Sequence, residues 1–327
     1  MKKYDIYGIG NALVDTEYEI AESFISKSGL GKGLMTLVDV DERHRIIQLL
    51  AEEYSVNNQC GGGSAANTMV AISQLGGRGF YSCKVSDDDV GDFFMADLKA
   101  ANLHTNLDTG REAGVTGQCI SMVTPDAERT MTTHLGISES LSESELDEAA
   151  LRESHYLYIE GYLVTSPSAL EAALKAQKIA HDAGAIVSIT LSDPAIVEHF
   201  KDAFDKLAEG GIDLVFCNED EAMIWTASKS PTEAFKKLQT VCKQVSMTCG
   251  KNGAMVFDGE EEFLVPGIPT KAVDTTGAGD IFAGAFLYGI SQGMNFEKAA
   301  VLANKSASLL VSRFGARLDV NAINALK

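Results

Sequence analysis

The segment of this chain whose residues are best suited to catalysis is DTTGAGDIFAGAF at residues 274–286. Small residues open a predicted helix here, so the first backbone N–H groups of that helix stay accessible to a ligand. Those N–H groups and the positive end of the helix form a site for an anion. Asp280 lies in the first turn, where the helix end favours its ionised form and allows it to accept a proton. An anion site beside a base predicts phosphoryl transfer to a hydroxyl group.

A second glycine cluster, GGGSAAN at residues 61–67, opens another predicted helix, which runs to Leu75. Glycines at this point allow a ligand to approach the backbone closely. Ser64 can cap the helix, and Asn67, one turn inside, offers hydrogen-bond donors and an acceptor. The pattern favours a polar binding site, although a tight helix entry that needs glycine for packing would use the same residues.

A third cluster, GIGNALVD at residues 8–15, follows a short run of strand-forming residues. A dinucleotide-binding loop would need glycine or alanine where Leu13 stands and a helix directly after it, but the next residues alternate like a strand. Asn11 and Asp15 nevertheless lie just beyond the carboxyl end of the first predicted strand, where open α/β sheets bind ligands. The alternative is a turn asparagine with a surface aspartate. The loop G-x-x-x-x-G-K-[ST] is absent, which leaves 274–286 as the predicted phosphate site.

The order of predicted elements indicates an α/β fold. From residue 155 onward strands and helices alternate, which is typical of a parallel sheet with helices on both faces. The β-rich segments 115–124 and 128–135 are joined by a Pro-Asp turn and predict a hairpin, which would form a small antiparallel sheet with residues 13–20 and 33–39. The predicted strands of the main sheet are 4–9, 79–84, 155–160, 186–190, 213–217, 244–249 and 254–257. The predicted helices are 41–54, 64–75, 90–101, 168–182, 195–208, 219–226, 231–240, 278–292 and 296–312.

Composition narrows the class of protein. The chain has 327 residues and a net charge of −19, and such an acidic surface repels both nucleic acid and anionic lipid headgroups. The longest apolar runs are too short to span a bilayer, and the N-terminus does not resemble a secretory signal. The six cysteines have no paired or metal-binding spacing. We therefore expect a cytoplasmic protein with free thiols that binds neither nucleic acid nor membranes.

The motifs GGGSAANTMVAISQLGG and DTTGAGDIFAGAF, in this order near the two ends of the chain, resemble the two signatures of the ribokinase-like (PfkB) family of carbohydrate and nucleoside kinases. The resemblance covers nearly the whole chain. It implies a single domain, 1–327, with a mostly parallel central sheet flanked by helices and a small β-sheet lid at about 12–39 and 107–136. It also implies a phosphotransferase that uses ATP and Mg²⁺. A monovalent cation near the anion site, and a monomer against a lid-mediated homodimer, stay open.

The family pattern also implies roles for individual residues. Asp280 would be the catalytic base, Gly277, Ala278 and Gly279 the anion hole, and Arg129 a lid residue that reaches the phosphates. The acceptor would contact Asn11, Asp15, Gly62, Gly63, Ser64, Asn67 and Tyr162. The nucleotide would contact Asn218, Thr248, Gly250, Gly253 and Asn304. Mg²⁺ would lie near Asn218 and Glu221 of the NEDE run, through water. Without the resemblance, Glu221 reads as an ordinary helix-start acid and Arg129 as a surface arginine.

The acceptor is predicted from two shorter motifs. The opener G-x-G-N-x-x-x-D and the stretch EGYLVTSP at residues 160–167 resemble adenosine kinases within the family. Those enzymes usually carry a second aromatic residue where Leu163 stands, so Tyr162 is the candidate to stack on an acceptor base. We expect transfer to the 5′-OH of adenosine. The alternatives are a sugar kinase of the ribokinase, fructokinase or 2-keto-3-deoxygluconate type, and a catalytically silent binding protein, which the intact Asp280 argues against.

Overall fold

Two separate β-sheets organise the chain in the computed structural model. The structure describes residues 2–108, 110–126 and 128–326. Residues 109 and 127, which belong to the predicted lid segment 107–136, lie outside the described residues. The strands of the larger sheet are β1 (Tyr4–Ile9), β5 (Gly79–Ser82), β8 (Ser154–Ile159), β9 (Ile186–Thr190), β10 (Leu214–Asn218), β11 (Gln244–Thr248), β12 (Gly253–Phe257) and β13 (Glu262–Pro266). The strands of the smaller sheet are β2 (Leu13–Glu19), β3 (Met35–Leu37), β4 (Asn58–Gly62), β6 (Gly117–Val123) and β7 (Arg129–His134).

The larger sheet is parallel except at one edge. Its strands lie in the order β13–β12–β11–β10–β9–β8–β1–β5, and every pair from β11 to β5 is parallel. β12 and β13 continue the sheet as an antiparallel edge. The prediction of a mostly parallel central sheet is therefore confirmed. β13 was not predicted, because its apolar run, Phe263 to Val265, is only three residues long and is bounded by Glu262 and Pro266.

Helices cover both faces of this sheet, because its strands are apolar on both sides. In β10, Leu214 and Phe216 face one core, while Val215 and Cys217 face the other. Among the described residues, no helix is long and apolar enough to cross a membrane. The helices facing the first core are α3 (Ser64–Leu75), α4 (Asp89–Ala100), α11 (Ala278–Ser291), α12 (Phe296–Val311) and α13 (Val320–Asn324). Those facing the second are α5 (Glu148–Arg152), α6 (Pro167–Asp182), α7 (Pro194–His199), α8 (Lys201–Glu209), α9 (Glu219–Thr226) and α10 (Pro231–Val241).

The smaller sheet has the strand order β3–β7–β6–β2–β4. The predicted hairpin is confirmed as the antiparallel pair β6–β7, but the prediction that the whole sheet is antiparallel is wrong, since β2–β6 and β3–β7 are parallel. Only the hairpin has a tight turn that forces its strands to be antiparallel. β4 was not predicted to be a strand. Two further helices, α1 (Glu22–Ser28) and α2 (Val40–Glu53), pack on this sheet around a separate small core that includes Phe24, Ile46 and Met122.

The predicted helix 195–208 is interrupted. It forms α7 and α8, which are separated at Phe200, a residue with φ −120° and ψ 29°. Phe200 lines the large cavity described below, so the interruption places an aromatic side chain on the cavity wall. Apolar periodicity runs through both short helices and cannot reveal such a break.

The helices α3 and α11, which carry the two glycine-rich motifs, lie in close contact. A Cβ atom at Gly284 of α11 would overlap the backbone of Thr68 and the side chain of Ala71 in α3. Glycine at this position therefore allows the two helices to approach. Because both helices begin at the same end of the larger sheet, their first turns face each other, and residues more than two hundred positions apart in sequence meet there.

Candidate active site

A cavity of about 790 Å³ lies at the carboxyl ends of the parallel strands. This is the location where open α/β sheets bind ligands. Its volume is within the range of about 300–1,000 Å³ that small-molecule sites occupy. The residues that follow or end four parallel strands line it, namely Asn11 after β1, Glu160 after β8, Asn218 of β10 and Thr248 of β11.

The smaller sheet forms a second wall of the cavity through two rows of side chains. Strand register places Asp15 between Cys60 and Cys119, and the same row continues to Thr133 and Leu37. The next row, two residues further along each strand, contains Asn58, Glu17, Ser121, Met131 and Met35. All ten residues line the cavity. Since side chains two apart on a strand share a face, the sheet presents this one face to the site.

Asp280 is the centre of the polar end of the cavity. Ser64 Oγ donates a hydrogen bond to its Oδ1 at 2.7 Å, and Asn67 Nδ2 donates to its Oδ2 at 3.0 Å. Both donors come from the first turn of α3, so the two glycine-rich motifs of the sequence meet at one carboxylate. Each carboxylate oxygen retains a second lone pair. Asp280 can therefore still accept a proton from a hydroxyl group in the cavity.

Three carboxyl groups share this end of the cavity and are all hard to ionise. Burial raises the pKa of Asp280 to about 6, against the opposing effect of its bonds from Ser64 and Asn67 and the charge of Arg317. Burial likewise raises the pKa of Asp15 to about 6 and that of Glu160 to about 7, and the charge of Asp280 adds to both shifts. Asp280, the base predicted from the sequence, thus has a pKa just below neutral, which suits a general base.

These shifts predict an acid limit to turnover. The predicted base role requires Asp280 to be deprotonated, so kcat/KM is expected to fall about tenfold per pH unit below an apparent pKa near 6. Because Asp15 and Glu160 titrate beside it, the apparent value belongs to the coupled group. The measurement is kcat/KM for the acceptor from pH 5 to pH 8.5 at saturating ATP. A flat profile across that range would contradict the assignment of Asp280.

Backbone N–H groups are available at the start of α11. Gly277 is its N-cap with φ +74°, and a Cβ atom there would overlap the backbone of Ala316. Among the described residues, the amides of Gly277, Gly279 and Asp280 donate to no protein acceptor. The amide of Ala278 differs from the expectation, since it donates to Thr275 O at 3.2 Å. The open amides of this turn are therefore those on either side of Ala278.

Arg129 extends from β7 of the smaller sheet to the loop before α11. Its Nη2 lies 3.0 Å from Glu17 Oε2 and 3.1 Å from Asp274 Oδ2, and its guanidinium lies over the ring of Phe314 at 5.7 Å. Asp274 also accepts from the amides of Thr276 and Gly315. Arg129 thus connects the smaller sheet to the glycine-rich loop beside the open amides, at the edge of the cavity that it lines.

The remaining predicted acceptor residues surround this polar end. Asn11 is buried, and its backbone N–H lies 3.3 Å from Glu160 Oε1. A Cβ atom at Gly62 would overlap the carboxylate of Asp15, and one at Gly63, whose φ is +98°, would overlap Asn11 O. Tyr162 lines the cavity, whereas its neighbour Leu163 is buried in the core. Of these two neighbours, only Tyr162 faces the cavity, so its ring is the aromatic surface there.

At the other end of the cavity, Asn218 and Glu221 form a capping box at the start of α9. Glu221 accepts from Asn218 N at 2.9 Å and from Asn218 Nδ2 at 2.7 Å, and burial raises its pKa to about 7. Both residues line the cavity, as does Thr248. No group of three or more His, Cys, Asp or Glu side chains converges into a metal cage among the described residues.

Three predicted nucleotide contacts lie away from this cavity. Gly250, Gly253 and Asn304 do not line it. Asn304 donates from Nδ2 to Val265 O and Pro266 O, both at 3.2 Å, and so connects α12 to β13. Gly253 has φ +103°, and a Cβ atom there would overlap the backbone between Val265 and Gly267. The observed contacts of Gly253 and Asn304 hold the edge of the sheet together.

Sequence reasoning missed Glu160 as a site residue. Its carboxylate accepts from Ala65 N at 2.8 Å and from Asn11 N, and so connects the loop after β1 to the first turn of α3. Gly10 makes room for it, because a Cβ atom there would overlap Glu160 Oε2. The available signal was its place directly after the apolar strand β8, the position that had drawn attention to Asn11 after β1.

Comparison with known proteins places this geometry in a family. The family model described as pfkB family carbohydrate kinase matches residues 31–323, which is most of the chain. The chain belongs to the PfkB family. It is accordingly a phosphotransferase that acts on an alcohol group, and its class of acceptor is a nucleoside or a sugar.

Individual relatives of this PfkB kinase cover nearly its whole length. It is 30% identical to the adenosine kinase of Schizophyllum commune, over 96% of this chain and 97% of that protein. Among solved structures, a probable sugar kinase from Rhizobium etli is 33% identical with a TM-score of 0.88, covering 99% of this chain and 98% of that one. The adenosine kinase from Sinorhizobium meliloti is 34% identical with a TM-score of 0.87, with the same coverage.

Proposed function

We propose that this PfkB kinase transfers the γ-phosphoryl group of ATP to the 5′-OH of a nucleoside, with adenosine as the first candidate. The observation that carries the proposal is the meeting of Asp280 with Ser64 and Asn67 beside the open amides of α11. The similarity to adenosine kinases from two organisms supports the choice of acceptor. The rest of the geometry supplies the roles described below.

The reaction needs a base and a site for charge. Asp280 accepts the proton of the 5′-OH while the acceptor oxygen forms a bond to the γ-phosphorus, and the bond from that phosphorus to the β–γ bridging oxygen breaks to release ADP. The amides of Gly277 and Gly279 donate to the transferring group, since they have no protein acceptor among the described residues. Arg129, which lies beside these amides, adds positive charge when it exchanges Asp274 for a phosphate oxygen.

Mg²⁺ fits the end of the cavity at Asn218 and Glu221. Magnesium in kinases usually takes one or two carboxylates together with phosphate oxygens and water, rather than an all-protein cage. Glu221 supplies such a carboxylate on the cavity wall, held in place by its capping box with Asn218. When bound there, the ion would neutralise charge on the β- and γ-phosphates. The monovalent cation near the anion site stays a prediction.

The smaller sheet would act as a lid whose inner face holds the nucleoside base. Its rows combine polar groups near Asp280 with apolar side chains such as Leu37, Met35 and Met131 further along the sheet. A purine offers a flat apolar face that can pack on such a wall, whereas a free sugar offers mainly hydroxyl groups. Tyr162 on the opposite wall gives the base an aromatic surface. This wall is the physical reason to rank a nucleoside above a free sugar.

An acceptor screen tests the proposal. Wild-type enzyme with ATP and Mg²⁺ is offered adenosine, other nucleosides, ribose, fructose and 2-keto-3-deoxygluconate, and ADP formation is measured. Adenosine is expected to have the highest kcat/KM, and 5′-deoxyadenosine, which keeps the base but lacks the accepting hydroxyl, is expected to inhibit without reacting. Phosphorylation of free sugars alone would replace the nucleoside assignment with a sugar kinase. ADP formation with none of these acceptors would contradict both.

A further inference from the structure

We propose that Arg317 is a positioning residue that acts through Asn67 to orient and ionise the proposed base, Asp280. The inference rests on the proposed function, because it concerns the same carboxylate. Arg317 lies in the segment between α12 and α13, outside both glycine-rich motifs, and neither the sequence motifs nor the cavity lining had singled it out.

The first step is the orientation of the Asn67 amide. Asn67 Nδ2 donates to Asp280 Oδ2 at 3.0 Å, and Asn67 Oδ1 accepts from Arg317 Nε at 2.8 Å. The two ends of an asparagine amide have nearly the same shape, and a protonated Asp280 could donate to the amide oxygen as well as accept from the amide nitrogen, so contact with a protonated Asp280 alone would allow either orientation. A guanidinium has only donors and a carboxylate only acceptors. With Arg317 on one side and Asp280 on the other, a single amide orientation satisfies both neighbours.

The second step is the support of Arg317 itself. Its Nη1 lies 2.5 Å from Asp97 Oδ2 of α4, and only 13% of its side chain is exposed. Gly61, in the same motif as Asn67, makes room for this ion pair, because a Cβ atom there would overlap the carboxylate of Asp97. An arginine held at Nη1 by Asp97 offers Nε to Asn67 with little conformational freedom.

The third step is charge. The positive charge of Arg317 lowers the pKa of both Asp280 and Asp15, against the burial that raises them. The other groups whose titration is coupled to Asp280 or to Asp15 would shift the pKa of the base less directly, and they stay in place when Arg317 is replaced. Those groups are Asp15 of β2, Tyr158 of β8, Glu160 and Tyr162 after β8, Arg129 of β7, Cys60 of β4 and Cys119 of β6.

The test measures the base directly and needs no substrate. In protein labelled with ¹³C at the aspartate carboxyl carbons, the Asp280 resonance is assigned by its loss in D280N and titrated from pH 4 to pH 9. Arg317→Met is expected to raise the pKa of Asp280 by about one unit, as expected for loss of a nearby opposite charge. Arg317→Lys should restore most of that shift. The control R313M removes an exposed arginine, paired with Asp319, from the same segment and should leave the titration unchanged.

The kinetic arm tests the route through Asn67. At pH 8, where Asp280 is ionised in every variant, Arg317→Met is expected to lower kcat/KM for adenosine by about 10- to 100-fold, the scale of a misplaced reacting group. The double variant with Asn67→Ala should be no worse than Asn67→Ala alone. An unchanged Asp280 titration, or losses that multiply in the double variant, would overturn the inference. A shifted titration in a protein that phosphorylates no acceptor would instead overturn only the proposed function.

Discussion

Replacing Asp280 with asparagine is expected to lower kcat by about 10²- to 10⁴-fold, the usual contribution of a general base. Asparagine keeps the shape of the side chain but cannot accept a proton at neutral pH. Its oxygen can still accept from Ser64 or Asn67, so the first turns of α3 and α11 should stay together. The acceptor is therefore expected to bind D280N with nearly unchanged affinity.

The measurement pairs single-turnover phosphoryl transfer with calorimetric binding of the acceptor. D89N is the matched control, because Asp89 is an exposed acid in the first turn of α4 and lies away from the cavity. It loses the same charge at a helix start and should keep wild-type turnover. If D280N turned over within about tenfold of wild type, Asp280 would not be the base, since that loss is below the range of general-base effects.

Replacing Gly279 with alanine is expected to raise stability while it lowers activity. A Cβ atom at Gly279 meets no heavy atom within 4 Å, and its backbone is not in the left-handed region. Alanine at such a site typically adds about 0.4–1 kcal/mol to the free energy of unfolding, because the unfolded chain has less freedom to lose. The same methyl group would enter the space where the transferring phosphoryl group meets the amides. We expect kcat to fall on the order of 10²-fold, the effect of losing one oxyanion donor.

Gly277 provides the contrasting variant. Its φ of +74° and the backbone of Ala316 leave no room for a Cβ atom, so G277A is expected to lose both stability and activity. Urea denaturation and steady-state kinetics of the two variants separate the two effects. A G279A enzyme with wild-type kcat would contradict the proposal that the open amides of α11 contact the transferring phosphoryl group. A G279A enzyme that is destabilised like G277A would contradict the prediction of raised stability, because the methyl group at residue 279 would then not lie in open space.

Much of the site followed from local sequence. The motifs at 61–67 and 274–286 each predicted a helix start with exposed backbone, and both helices begin where predicted within a residue. Asn11 and Asp15 were predicted because they come shortly after the first strand, and both line the cavity in the structure. These signals are short-range, and the structure leaves them unchanged.

The contacts that complete the site could not be read from sequence. Ser64 and Asp280 are 216 residues apart, and Asn67 and Arg317 are 250 apart, so only the packing of α3 against α11 and the return of the chain after α12 brings them together. The strand β4 was not predicted because its residues, NQCGG, carry no apolar alternation. They form a strand because they pair with β2. Tertiary pairing decides such segments, not their propensity.

The central claim is that the cavity beside Asp280 transfers a phosphoryl group to a primary hydroxyl. The most direct measurement is the proton-coupled ³¹P NMR spectrum of the product formed from adenosine, ATP and Mg²⁺. The account predicts a new phosphate monoester signal split into a triplet by the two 5′ methylene protons, and no such signal with D280N. A doublet, which reports a secondary hydroxyl, or inorganic phosphate as the only new product would contradict it.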